Sequence, residues 1–186
     1  MSETARDRTD YEIINGQAYM MARPSMDHVS IALSIGAIFK NYLKGKTCKV
    51  YIEPDLFLDD KNNFIPDVVI LCDSSKKKYK GIYGAPDLVV EILSPSTDKR
   101  DLGEKKDLYG KYGVKEYWTV DPKAKKITVH YLSNNSLYIN NVYYYLTQQE
   151  IKDMPDDDQK VIVSTFNVSI FDDLTIKLED VFEDIE

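Results

Sequence analysis

The chain has 186 residues, 43% of them hydrophobic, and a formal net charge of −7, which suits one globular domain with a core of its own. It contains no apolar run of about 18 residues, the length that a conventional membrane-spanning helix needs. The negative charge disfavours indiscriminate nucleic-acid binding, but it is local: residues 150–186 hold 12 acidic and 3 basic residues, a net of −9 that leaves +2 for residues 1–149.

The first ten residues, MSETARDRTD, read as a disordered tail. They lack the apolar stretch of a signal peptide, which points to the cytoplasm. Residues 11–186 read as a single domain. In YEIINGQAYMM, from Tyr11 to Met21, the Asn15-Gly16 pair between extended runs marks a hairpin. Pro24-Ser25 opens a helix over about 26–43. His28 begins its apolar stripe, and Ala32, Ile35, Phe39, Tyr42 and Leu43 continue it. Strands are expected at KVYIEPDLFL (49–58), IPDVVILC (65–72) and 87–93, with a turn at DDKNN (59–63). Pro95 keeps Ser94–Thr97 a loop. A helix follows over about 98–112, ended by Gly113. Next come a strand at 116–120, a turn at Asp121-Pro122 and an antiparallel pair at 126–132 and 141–147. Residues 153–158 form an acidic turn region, while 168–170 and LEDVFEDIE are short peripheral elements. Cys48 and Cys72, without CxxC spacing, are expected as two small buried apolar residues. The basic run KKKYK (76–80) reads as a solvated loop. The order predicts an α/β or α+β fold, a mixed sheet flanked by helices, with strand 87–93, helix 98–112 and strand 116–120 as a βαβ crossover.

Two apolar strands carry acids. Pro66-Asp67 heads VVIL, and Glu91 sits inside LVVEIL. Alternation puts Asp87, Val89, Glu91 and Leu93 on one face and Leu88, Val90 and Ile92 on the other. On the helix 98–112, steps of about 100° place Leu102, Leu108, Tyr109 and Tyr112 on one arc, with Lys105 near its centre and Asp101 inside it. Lys106, Asp107, Gly110 and Lys111 point away. A lysine among apolar residues and a carboxylate in a buried strand each need a counter-charge, so Asp67, Glu91 and Lys105 are expected to converge. Two carboxylates and a lysine suit divalent-metal phosphodiester chemistry. A structural Glu91–Lys105 ion pair and paired acids for glycoside hydrolysis are open alternatives.

The stretches IPDVVIL, GAPDLVVEILSPST, DLGEKKDLY and GVKEYWTVDP, in this order and with YEIINGQAYMM and PSMDH before them, resemble the Uma-two family, a branch of the PD-(D/E)XK nuclease superfamily. The resemblance spans roughly residues 11–132. It implies a restriction-endonuclease-like core and a DNA endonuclease that uses magnesium, with manganese as a substitute. Asp67 and Glu91 would hold the metal with the Ile92 backbone carbonyl. The parent motif places its lysine two residues after the acid, where this chain has Leu93; Lys105 of the pattern Asp101-x3-Lys105-x3-Tyr109 takes that role instead. Restriction-type nucleases often dimerise to cut both strands, which admits a homodimer by analogy.

Further candidates are weighed with their plainer roles. His28 is expected at the site rim or as a satisfied histidine, Glu12 as a surface acid of the hairpin rather than a third ligand, and Glu53 near the cleft if its strand is central. Ser94 would hold a loop or contact phosphate. Asp101 and Tyr109 would hold Lys105 by hydrogen bonds. Asp87, about 13 Å from Glu91 along the strand, reads as structural, and Trp118 as core. The competing function is a non-catalytic nucleic-acid-binding or assembly module that keeps the fold, with Glu91 and Lys105 as a core ion pair.

Overall fold

The Asn15-Gly16 turn forms as its residues dictate. Asn15 and Gly16 take φ of 52° and 82°, the left-handed values that a two-residue hairpin turn requires. They join β1 (Tyr11–Ile14) to β2 (Gln17–Met20). The computed structural model describes residues 11–133, 138–160 and 162–185; the expected N-terminal tail lies outside the described residues. Helix α1 (Met26–Tyr42) starts on Ser25, whose side chain accepts from the His28 amide at 3.2 Å. This is a regular N-cap, and it fixes His28 in the first turn.

The stretch expected as one strand over 49–58 is two, β3 (Lys49–Ile52) and β4 (Leu56–Asp59), in different sheets. Glu53 at φ 46° and Pro54, which has no N–H to donate, break it. The DDKNN turn is shorter than expected, because β5 (Asn62–Phe64) already pairs with β4 and β1. Strand β6 (Val68–Leu71) follows Asp67. Next come the short β7 (Lys77–Lys78) and β8 (Gly81–Tyr83) and the buried β9 (Leu88–Ile92).

The helix after β9 runs as α2 (Asp98–Arg100), a π-helical turn (Asp101–Lys105) and α3 (Lys106–Tyr112), closed by Gly113 at φ 89°. The π turn alters the regular 100° wheel. Leu102, expected inward, is 46% exposed, while Gly110, expected outward, is buried. Lys105, Leu108 and Tyr109 remain inward.

Strands β10 (Glu116–Asp121), β11 (Lys126–Leu132) and β12 (Tyr138–Tyr144) complete the main sheet. Strand β12 begins three residues before the expected start, because its register follows β11 from Tyr138 paired with Leu132. The acidic region contains a helical turn, α5 (Asp156–Gln159), after α4 (Gln148–Lys152). The short pair β13 (Thr165–Asn167) and β14 (Thr175–Lys177) precedes α6 (Glu179–Phe182).

The main sheet has the order β12-β11-β10-β9-β6-β3, with β9 and β10 parallel and the other pairs antiparallel. The second sheet runs β2-β1-β5-β4-β8-β7. One face of the main sheet, with Val68, Val90, Ile92 and Trp118, packs on Ile31, Ile35 and Phe39 of α1. The other face, with Val69, Val89 and Tyr117, packs on the second sheet and on Leu108 and Tyr109. The expected α+β fold with a mixed central sheet, a βαβ crossover at β9–β10 and alternation around Glu91 is what forms.

Two expectations fail here. The C-terminal elements are not peripheral: Val168, Leu178, Val181, Phe182 and Ile185 are buried in the first core. Cys48 and Cys72 are half-buried and joined as a disulfide between β3 and the end of β6. Both contacts are long-range, and neither spacing nor periodicity encodes them. Asp87 is structural as expected, accepting from the Cys72 amide and pairing with Lys115, each at 2.8 Å. Trp118 is core, with its indole N–H on Glu116 Oε1 at 2.6 Å.

His130 stacks on Tyr117 at 5.4 Å and is buried. Burial, with a smaller push from Lys106, lowers its pKa to about 4. The fold therefore favours neutral His130, and the unfolded chain binds more protons between its ordinary value of about 6.5 and about 4. Stability present above this window falls as pH falls through it. His130→Phe keeps the stack, and its urea midpoint should decline less between pH 7 and pH 5 than the parent's. Equal declines would reject this account.

Candidate active site

The antiparallel register of β6 and β9, with Val68 opposite Val90, continues one step to bring Asp67 opposite Glu91. Asp67 is held at both oxygens. Its Oδ2 accepts from the Ile92 amide at 2.6 Å, and its Oδ1 meets His28 Nε2 at 2.8 Å. His28 thus reaches the site itself rather than only its rim. Glu53 is exposed at the cleft, and its amide donates to the Asp67 carbonyl at 3.1 Å.

Lys105 enters from the π turn. Its Nζ lies 2.6 Å from Glu91 Oε1, 2.8 Å from Glu12 Oε1 and 3.2 Å from Asp101 Oδ1. An ammonium has three donors, and each here faces a carboxylate. The Phe64 ring lies 5.6 Å from the same nitrogen. The Tyr117 hydroxyl donates to the Asp101 carbonyl at 2.8 Å, satisfying backbone at the start of the π turn, a form often found at functional sites.

Two site expectations change. Glu12 is not a surface acid: it is 3% exposed, and it also accepts from the Ile65 amide at 3.0 Å. Its β1 position, two residues before the buried Ile14, was the available signal, but Ile13 obscures the alternation. Tyr109 does not hold Lys105; its hydroxyl donates to Glu91 Oε1 at 2.7 Å. Asp101 does pair with Lys105. Ser94 Oγ bonds within its own loop, to Ser96 at 3.0 Å and Thr97 at 3.1 Å.

Electrostatics follow from the count of charges. Four acids, Glu12, Asp67, Glu91 and Asp101, surround one lysine and one histidine, and all four are buried. Burial pushes the Glu91 carboxyl well above the ordinary range; Lys105 opposes this, while Asp101, Asp67 and Glu12 add to it. Burial also raises Asp101 against the pull of Lys105. For Lys105, burial alone would lower the pKa, but Glu91, Glu12 and Asp101 raise it well above the ordinary value. The ammonium therefore stays charged, and the surplus of negative charge makes Glu91 and Asp101 easier to protonate. His28 is likewise raised, because Asp67 outweighs the effect of burial.

The cluster lies in a cleft of about 1050 Å³, which Arg23, Ser94 and Lys123 also line. Among the described residues, no three His, Cys, Asp or Glu side chains are arranged to hold a cation by themselves. Asp101 Oδ1 is buried, and it meets the Lys105 ammonium at 3.2 Å as an ion pair outside regular hydrogen-bond geometry. Two facing carboxylates and surplus negative charge fit a hard divalent cation that keeps several of its own waters.

No helix among the described residues is long and apolar enough to cross a membrane. A "putative nuclease belonging to DUF820" from Anabaena variabilis has a similar fold, with a TM-score of 0.72 at 18% identity over 97% of this chain and 94% of that one. An "Uncharacterized protein slr1290" of Synechocystis sp. is 30% identical over 151 residues, 79% of each chain. Residues 2–157 match the family described as "Uma2: Putative restriction endonuclease". With most of its length matched, the chain belongs to the Uma2 family.

Proposed function

We propose that the protein is a divalent-metal-dependent endonuclease that hydrolyses phosphodiester bonds in DNA. The observation that carries this reading is Asp67 facing Glu91 in an open cleft, with Lys105 Nζ 2.6 Å from Glu91. Asp67, Glu91 and the Ile92 backbone carbonyl would hold magnesium, or manganese in its place. When bound, the metal supplies a lowered water pKa and charge neutralisation at the phosphate. The remaining work falls to the chain. The Ile92 amide and His28 fix the orientation of Asp67. Tyr109 fixes Glu91. Glu12 and Asp101 hold the lysine in place, and Lys105 would give up one of its three carboxylate contacts to present an N–H to the attacking water or to the charge developing on phosphate. Arg23 and Lys123 at the cleft offer cations to the DNA backbone.

One observation favours a second reading. All three donors of Lys105 face carboxylates, as a core ion pair in a non-catalytic binding or assembly module would require. Calorimetric titration separates the two. The parent should bind magnesium or manganese, and Asp67→Asn should lose that binding while keeping its fold. Supercoiled and single-stranded DNA should be cut by the parent and spared by Lys105→Ala. A parent that binds neither metal and cuts neither substrate would leave the binding-module reading standing.

A further inference from the structure

Strand β12 forms one edge of the main sheet, and it differs from the other edges. The opposite edge, β3, begins with Lys49 and ends before Glu53-Pro54; in the second sheet β2 has four residues, and β7 is two lysines. Short length, lysine and proline protect a sheet edge from pairing with another chain. Strand β12 has seven residues, YINNVYY, and no charge or proline occurs from Tyr138 to Gln149. Ile139, Val142 and Tyr144 are 67%, 42% and 53% exposed.

The outward backbone groups can be identified. The Tyr145 amide donates to the Lys125 carbonyl at 2.8 Å, continuing the β11–β12 register in which Tyr144 faces Lys126. Backbone groups alternate along a strand. Odd-numbered residues of β12 therefore bond to β11, while Tyr138, Asn140, Val142 and Tyr144 aim N–H and C=O outward. Among the described residues these outward groups meet no strand.

We propose that β12 pairs antiparallel with β12 of a second copy of this chain, about a two-fold axis at Asn141, joining two main sheets into one. A two-fold axis normal to the sheet preserves its faces, so residues directly opposite must have the same parity, and centring on Asn141 meets that condition. Tyr138 then lies opposite Tyr144 of the second copy, and Asn140 opposite its Val142. All four outward positions become hydrogen-bonded pairs along the whole strand. Ile139 faces Tyr143, and Asn141 faces its own equivalent. Charge selects the occupant: an isologous contact sets each residue near the axis against its like, and any charge there would repel itself. Strand β12 carries none.

Sedimentation equilibrium and light scattering at micromolar concentration test this. The full chain should have twice the 21.4 kDa mass of one copy. Asn141→Lys and Asn141→Asp, at an exposed position, set like charges across the axis, and each alone should be monomeric. An equimolar mixture of the two should recover the dimer. Val142→Pro removes only an outward N–H and should also be monomeric, with an unchanged far-ultraviolet dichroism spectrum. A monomeric parent, variants that stay dimeric, or a mixture that stays monomeric would overturn the proposal.

Discussion

Lys105→Met should unfold in urea with about 3–5 kcal/mol less stability than the parent at neutral pH, because it leaves uncompensated charge among buried carboxylates. The methionine nearly matches the lost volume. What disappears is the single cation shared by Glu12, Glu91 and Asp101, at 2.8, 2.6 and 3.2 Å. The pH dependence has a defined sign. In the parent, Lys105 has its pKa raised, so its contribution is complete below the ordinary lysine range and is lost only as pH rises through the higher folded value. In the variant, the carboxylates dominate. Glu91 and Asp101 are already raised in the parent by burial, and removing the lysine raises them further. The folded variant then binds more protons than the unfolded chain above about pH 4. Its deficit should therefore shrink as pH falls from 7 toward 5. Magnesium should recover part of the loss at pH 7. A deficit below about 1 kcal/mol at pH 7 would show that the lysine is not the counter-charge of this cluster.

Glu91→Gln should behave in the opposite way on stability while abolishing chemistry. Neutralising one of four crowded acids relieves repulsion, and Lys105 keeps Glu12 and Asp101 as partners. The Tyr109 hydroxyl can still donate to the amide oxygen. Unfolding free energy should stay within about 1 kcal/mol of the parent or rise. Cleavage of supercoiled DNA in magnesium should fall on the order of 10²–10³-fold, as for loss of one electrostatic group at a reacting centre. A core ion pair predicts the reverse: Glu91→Gln would cost about as much stability as Lys105→Met. Measured side by side, the two substitutions therefore distinguish a site held under strain for function from a pair kept for the fold.

Local patterns in the sequence determine much of the molecule. Asn15-Gly16 sets the hairpin, Ser25 the start of α1 and Gly113 the end of α3, since each rests on the backbone preference of one or two residues. Alternation in LVVEIL places Glu91 on the face opposite Leu88, Val90 and Ile92. Helical spacing turns Lys105 inward, even though the π turn displaces Leu102 and Gly110 from their expected sides. The pairing of Glu91 with Lys105 was legible because each lies in an apolar run and each needs a partner of opposite sign.

Tertiary structure alone decided the rest. Glu12 joins Lys105 across 93 positions of chain, and His28 joins Asp67 across 39. Neither partner shows in its own neighbourhood, because charge pairing over such separations depends on how β1, α1 and β6 dock. The break at Glu53-Pro54 moves β4 into a different sheet, although 49–58 alternates well enough to pass as one strand. The disulfide and the burial of Phe182 against the α1 core are long-range contacts of the same kind. Periodicity reports which face of an element is apolar; it carries no information on which other element covers that face. The sequence therefore determined the elements and the two poles of the site, while the packing of two sheets assembled the four acids around one lysine and one histidine.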